Sequence, residues 1–190
     1  PSYLAAEGVS IDVPGFGPLT LDIAYGGNFY AIIEPQGAYT SLDDLGAARI
    51  LQFSPIIRQL VRDKVEPVHP LDPTIRGVSH VLWADKPKGA GADGRNAVFY
   101  GDKAIDRSPC GTGTSARLAH LFAKGKLKVG DRFVHESYIG SRFIGRIEAE
   151  TEIGGVRAIV PSIEGSAIAT GRNEIWIDTE DPFAHGFQVV

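Results

Sequence analysis

Apolar and polar positions alternate with a period of two over most of this chain, in short runs broken by glycine and proline. "LTLDIAY" (Leu19 to Tyr25) and "FYAII" (Phe29 to Ile33) flank Gly26-Gly27-Asn28, a pattern that predicts a hairpin. "VSHVLWA" (Val78 to Ala84) and "NAVFY" (Asn96 to Tyr100) predict two more strands, joined by a loop rich in Gly and Lys. The last third carries "RFVHESYI", "RFIGRIEAETEI", "VRAIVPSI", "GSAIAT" and "EIWID", a succession of short strands. Gly154-Gly155 in "EIGGVR" predicts a two-residue turn between two of them.

Two stretches have helical spacing instead. Ser41 with Asp44 three residues on is a capping signature. Ser54-Pro55 then kinks that helix or starts a second, since proline suits a first turn and disfavours an interior. Leu45, Ala48, Leu51, Ile56 and Leu60 fit one buried face. In "GTGTSARLAHLFAKG" the apolar residues Ala116, Leu118, Ala119, Leu121 and Phe122 lie nearly all round the wheel, interrupted by Arg117, His120 and Lys124. Such a helix is buried on nearly every side, so its amino end, with Cys110, Gly111 and Thr112, is expected to point into the interior. The order of elements predicts an α+β domain whose sheet closes on itself or on this helix.

Composition narrows the function. At 190 residues the chain fits one domain with a substantial core. A net charge of −4, with no basic run, leaves no footprint for nucleic acid or anionic lipid, and a small-molecule ligand fits better. The sequence has neither an apolar stretch of about 18 residues nor a signal-peptide pattern, which points to a cytoplasmic protein without membrane attachment. The chain has no Met and begins at Pro1, and Ser2 to Ser10 reads as the middle of something. A piece of a longer protein is expected; removal of an initiator Met is the alternative.

"GAGADG" (Gly89 to Gly94) matches a dinucleotide fingerprint in letters only, because Lys86-Pro87-Lys88 precedes it and a strand follows. It is expected to be a mobile loop. The lone cysteine, Cys110, carries more chemistry. A free Cys is often a small buried hydrophobe, yet here Ser108-Pro109 precedes it and Gly111-Thr112-Gly113 opens a helix after it. Free amides at a helix start bind an anion and favour a thiolate. None of the five histidines sits in a recognisable hydrolase context, and one Cys gives no metal cluster. Acid–base work remains: a thiol exchanging a proton with a carbon next to a carboxylate held by those amides. Asp106, across the turn from Cys110, could counter an ammonium, which suggests an amino acid; its plainer role is a turn cap or an ion pair with Arg107 or Lys103.

"DRSPCGTGTSARLA" resembles the second cysteine motif of the proline racemase and hydroxyproline epimerase family. "LDIAYGGNFYAII", "SYIGSRFIGRI" and "PSIEGSAIATG" resemble further segments of that family in the same order, from about Leu21 to Gly171. The resemblance implies a fold similar to diaminopimelate epimerase: two β-rich halves, each wrapped round a central buried helix, with the site between them. It implies cofactor-independent epimerisation, no pyridoxal phosphate or metal, and two acid–base groups on opposite faces of the α-carbon. Cys110 matches the second thiol, Gly111 and Thr112 the amides that hold the carboxylate, and Asp106 the contact near the ring nitrogen. The family's other motif, similar to "CGH", is missing here. By this resemblance residues 1–190 are the carboxyl-terminal domain of a two-domain enzyme, inactive alone, whose partner is the missing amino-terminal domain; a homodimer is left open. His80 reaches the substrate or sits in the core. Tyr100 stands where proline racemases carry Phe, so its phenol either meets a ring hydroxyl or packs on the sheet. The substrate expected is 4-hydroxyproline, with proline racemase, trans-3-hydroxyproline dehydratase and a non-catalytic amino-acid-binding half-site as alternatives.

Overall fold

The computed structural model describes residues 1–188. Strands β1 (Tyr3–Val13), β2 (Gly17–Tyr25) and β3 (Phe29–Ile33) form an antiparallel meander, and helix α1 (Leu42–Lys64) then crosses to the short pair β4 (Val68–His69) and β5 (Asp72–Arg76). After it come β6 (Val78–Asp85), β7 (Gly94–Tyr100), β8 (Ala104–Ile105), α2 (Gly111–Ala123), β9 (Arg132–Glu136), β10 (Arg142–Ile153) and β11 (Val156–Glu164). The main sheet runs β1-β2-β3-β6-β7-β9-β10-β11, with β8 on β7. The β3–β6 and β7–β9 pairs are parallel, and α1 and α2 lie in the respective crossovers. Its two ends meet: Ser2 and Ile159 exchange both backbone hydrogen bonds, each at 2.8 Å. The sheet thus closes round α2, as the helical wheel predicts.

Period-two alternation sorts the side chains between two helices. On β6, Val81 and Trp83 face outward into the core built with α1, while Leu82 and Ala84 face inward with Ala116 of α2. On β3, Phe29, Ala31 and Ile33 point outward, and Tyr30 and Ile32 inward. Strands covered on both faces become continuous apolar runs, which explains "FYAII", where all five residues are buried. Further along α2, Leu118, Leu121 and Phe122 meet Phe133, Ile147 and Ile159.

The predicted β2–β3 and β10–β11 hairpins are present, the latter with positive φ at both Gly154 and Gly155. The Ser41 cap also forms, its hydroxyl accepting from the Asp44 amide at 3.1 Å. Four expectations need correction. The break in α1 falls at Gly46 (φ 71, ψ 157), and Pro55 lies inside the helix. That break resets the helical phase, so Ile50, Phe53, Ile57 and Val61 are buried, while Leu51 and Ile56 are exposed. "GSAIAT" and "EIWID" form no strand: alternation selects a face, but it supplies no hydrogen-bonding partner, and neither segment pairs with a strand of the sheet. Ile168, Ile175, Trp176 and Ile177 consequently stay exposed. Lastly, the glycine loop after β6 is pinned, since the amides of Lys88 and Gly89 donate to Glu136 Oε2 at 2.8 and 3.0 Å. No helix among the described residues is long and apolar enough to cross a membrane.

Candidate active site

The turn before α2 is built from short polar side chains. Asp106 Oδ1 accepts from the Ser108 amide at 2.8 Å and from the Ser108 hydroxyl at 2.9 Å. Ser108 Oγ in turn accepts from the Cys110 amide at 3.0 Å. The Pro109 carbonyl accepts from Asn96 Nδ2 at 2.8 Å, with the Thr114 hydroxyl a longer second donor at 3.4 Å. Thr114 Oγ1 also pairs with Nδ1 of fully buried His135 at 2.9 Å. Burial, with the Arg117 charge adding to it, pushes that imidazole down to about 3 and keeps it neutral. These contacts hold Cys110 at φ 66, the one non-glycine residue at positive φ among the described residues. A conformation of this kind costs about 1–3 kcal/mol and persists only where the surroundings over-determine it.

Cys110 caps α2, and Thr114 makes the first helical bond back to it, N to O at 2.7 Å. The amides of Gly111, Thr112 and Gly113 have no carbonyl within the helix to serve, so they present donors and the positive end of the helix dipole beside the thiol. From Gly113 to Phe122 every residue of α2 is buried, but Cys110, Gly111 and Thr112 are half-exposed. The expectation of an interior-facing amino end is therefore corrected: the helix body is enclosed, and its tip opens outward. An apolar wheel reports burial along a helix and does not reach past its first turn.

Tyr30, from the inward face of β3, meets this tip. Its hydroxyl lies 3.3 Å from Cys110 Sγ and 2.5 Å from Thr112 Oγ1. Burial pushes the phenol well above its ordinary value, and the Cys110 charge adds to the shift. His80 packs tilted against the Tyr30 ring, centroids 4.8 Å apart, with Nδ1 on Ser79 Oγ at 2.6 Å. Its protonation is disfavoured by burial first and by Arg58 second, with Asp106 opposing both. The β2–β3 turn also touches α2: a Cβ on Gly26 would lie 2.2 Å from the Thr112 carbonyl oxygen and 2.4 Å from the Ala116 nitrogen.

Cys110, Gly111, Thr112 and Asp106 thus come together, with His80 behind Tyr30. Tyr100 ends β7 on the inward face shared with Val98, 43% exposed. An open cleft of about 710 Å³ beside the turn is lined by Asp106 and Ser108 together with Arg142, Phe143 and Ile168. Among the described residues no group of three or more His, Cys, Asp or Glu could hold a metal. Sequence reasoning missed Tyr30 and Gly26. Neither left a signal in the sequence: Gly26-Gly27 reads as ordinary turn composition, and the partner of Tyr30 is 80 residues away in the chain.

Comparison with known proteins adds independent findings. A family model described as proline racemase matches residues 1–188. A 4-hydroxyproline 2-epimerase of Shewanella loihica is 57% identical over 190 residues, covering 100% of this chain and 57% of that protein. One from Brucella suis biovar 1 is 59% identical over 189 residues, with the same coverage. Among solved structures, a probable proline racemase from Agrobacterium radiobacter K84 with bound carbonate superposes with a TM-score of 0.84 at 39% identity, covering 100% of this chain and 55% of that one. A hydroxyproline epimerase from Agrobacterium vitis with bound trans-4-hydroxy-L-proline gives 0.82 at 33%, covering 100% and 54%. This chain spans little more than half the length of the relatives it matches.

Proposed function

Because this chain belongs to the proline racemase family, we propose that it supplies one half of the site of an epimerase acting on 4-hydroxyproline. The observation that carries the reading is the thiol of Cys110 held beside the unpaired amides that open α2. The names of the relatives at 57% and 59% identity support hydroxyproline over proline.

In this reading the amides of Gly111 and Thr112 hold the substrate carboxylate, and Asp106 lies toward the ring nitrogen. The Cys110 thiolate takes the Cα proton, forming S–H as C–H breaks. The electron pair left on carbon delocalises into the carboxylate, whose growing charge meets preorganised donors. A group on the opposite face returns a proton, and the α-carbon is inverted. In this reading that second group is another thiol, and since the chain has one cysteine it comes from the part of the protein that the chain does not span; a Ser or Thr in that place would favour dehydration instead. The exposed apolar side chains of Ile168, Ile175, Trp176 and Ile177 support a covering partner, and the amino-terminal half is the partner proposed.

The test is to incubate the full-length protein with trans-4-hydroxy-L-proline in deuterium oxide plus a chelator. Loss of the Cα–H signal and appearance of the cis-D epimer are expected. Absence of exchange with every proline derivative would overturn the proposal.

A further inference from the structure

The Tyr30 hydroxyl is fully buried, with Thr112 Oγ1 at 2.5 Å and Cys110 Sγ at 3.3 Å, and the Asn28 side chain of the β2–β3 turn also pairs with it. Sulfur and Thr112 Oγ1 themselves stand 3.7 Å apart, so the phenol oxygen bridges them. A phenol carries a single proton, and it serves one acceptor at a time. Which acceptor is preferred depends on the sulfur: a thiol accepts weakly, whereas a thiolate accepts a charge-assisted hydrogen bond. The threonine hydroxyl, free to rotate, can accept from the phenol or donate to it. Packing round the three atoms is close. Gly113 admits no Cβ without crowding Cys110 Cβ, Cys110 Sγ and Tyr30 Cε1, at 3.1, 3.3 and 3.3 Å, and His80 backs the Tyr30 ring.

We propose that Tyr30 is a positioning residue for Cys110: it donates to the sulfur as thiolate and turns its proton to Thr112 when the sulfur is protonated. Both states use the same heavy-atom positions, so a change of charge on sulfur is answered by rotating two hydroxyls, with no movement of the backbone or the tyrosine ring. Tyr30 does not itself take the proton, because its buried phenol stays neutral where a thiol exchanges. The titratable groups round the pair are His80 from β6, against the tyrosine ring, and Asp106, joined to the Cys110 amide through Ser108. Both remain in the variants below. The consequence for turnover rests on the reading of Cys110 as an acid–base thiol, but the hydrogen bond itself does not.

Alkylation by iodoacetamide tests it on the full-length protein, read at the peptide that carries Cys110 by mass spectrometry. Tyr30→Phe keeps the ring and removes the donor. Its alkylation rate at neutral pH is expected to fall about tenfold or more, as loss of a hydrogen bond to a charged group implies, while the plateau rate at alkaline pH does not fall. Tyr30→3-fluorotyrosine keeps the hydroxyl and strengthens the donor, so its neutral-pH rate is expected to rise. A Tyr30→Phe rate unchanged at neutral pH, or reduced by one common factor at both pH values, overturns the proposal. If Tyr30→Phe does not fold, the fluorotyrosine variant decides alone, and absence of a rise overturns it. Turnover does not enter this readout, so failure of the epimerase reading leaves the result standing.

Discussion

Substituting Gly26→Ala asks whether the β2–β3 turn sets the position of the helix that carries the thiol. The added Cβ would lie 2.2 Å from the Thr112 carbonyl oxygen, 2.4 Å from the Ala116 nitrogen and 3.0 Å from its Cα. All three are backbone atoms of α2, so no side-chain rotation relieves the contact, and either the turn or the helix must move. Overpacking of a tight interior costs about 1–3 kcal/mol, and a clash confined to backbone belongs at the upper end, about 3 kcal/mol. For a domain of this size each kcal/mol lowers Tm by about 2–4 °C, giving a drop of roughly 6–12 °C in a calorimetric melt. Gly37→Ala is the control: nothing lies within 4 Å of its Cβ and its φ is not positive, so its Tm should move by less than about 2 °C. Equal Tm values for the two variants would refute the argument that Gly26 is present for close approach.

Cys110→Ser in the full-length enzyme should abolish turnover with little change in Tm, because a hydroxyl cannot exchange the proton near neutral pH; retention of more than about a tenth of the rate, ~1.4 kcal/mol of barrier, would remove Cys110 from the acid–base role. Asp106→Asn keeps the Oδ1 that caps the turn and removes the charge, so isothermal titration should show weaker substrate binding at nearly constant Tm; unchanged affinity would leave Asp106 a turn residue. His135 is held neutral down to about 3 by burial, aided by Arg117. The unfolded chain takes up that proton below the ordinary 6.5, so stability falls as pH falls between those values. His135→Gln should show a shallower loss of Tm with acid across this window than the unsubstituted chain, and parallel curves would contradict the assignment.

Much of this molecule can be read from local pattern, where one element carries its own signal. The all-round apolar wheel of Ala116 to Phe122 places α2 inside the sheet, Ser41 and Asp44 mark the start of α1, and Gly154-Gly155 marks a tight turn. Misreadings arise where the signal lies in another element. The α1 face was out of phase because Gly46 breaks the helix before Pro55 is reached. "EIWID" has strand composition but pairs with no strand. The site divides in the same way. Cys110, Gly111, Thr112 and Asp106 are contiguous and legible as a motif, whereas Tyr30 reaches the thiol only because β3 faces inward on a closed sheet.

The central claim is that Cys110 works one face of a substrate whose other face belongs to a part of the protein beyond this chain. Deuterium incorporation at Cα of trans-4-hydroxy-L-proline tests it most directly, followed by NMR for the 190-residue chain alone and again with the amino-terminal half added. The account predicts no incorporation by the chain alone and incorporation once the two halves associate. Steady incorporation by the isolated chain would contradict it, and would mean that a residue already present, with His80 the first to test, serves the opposite face.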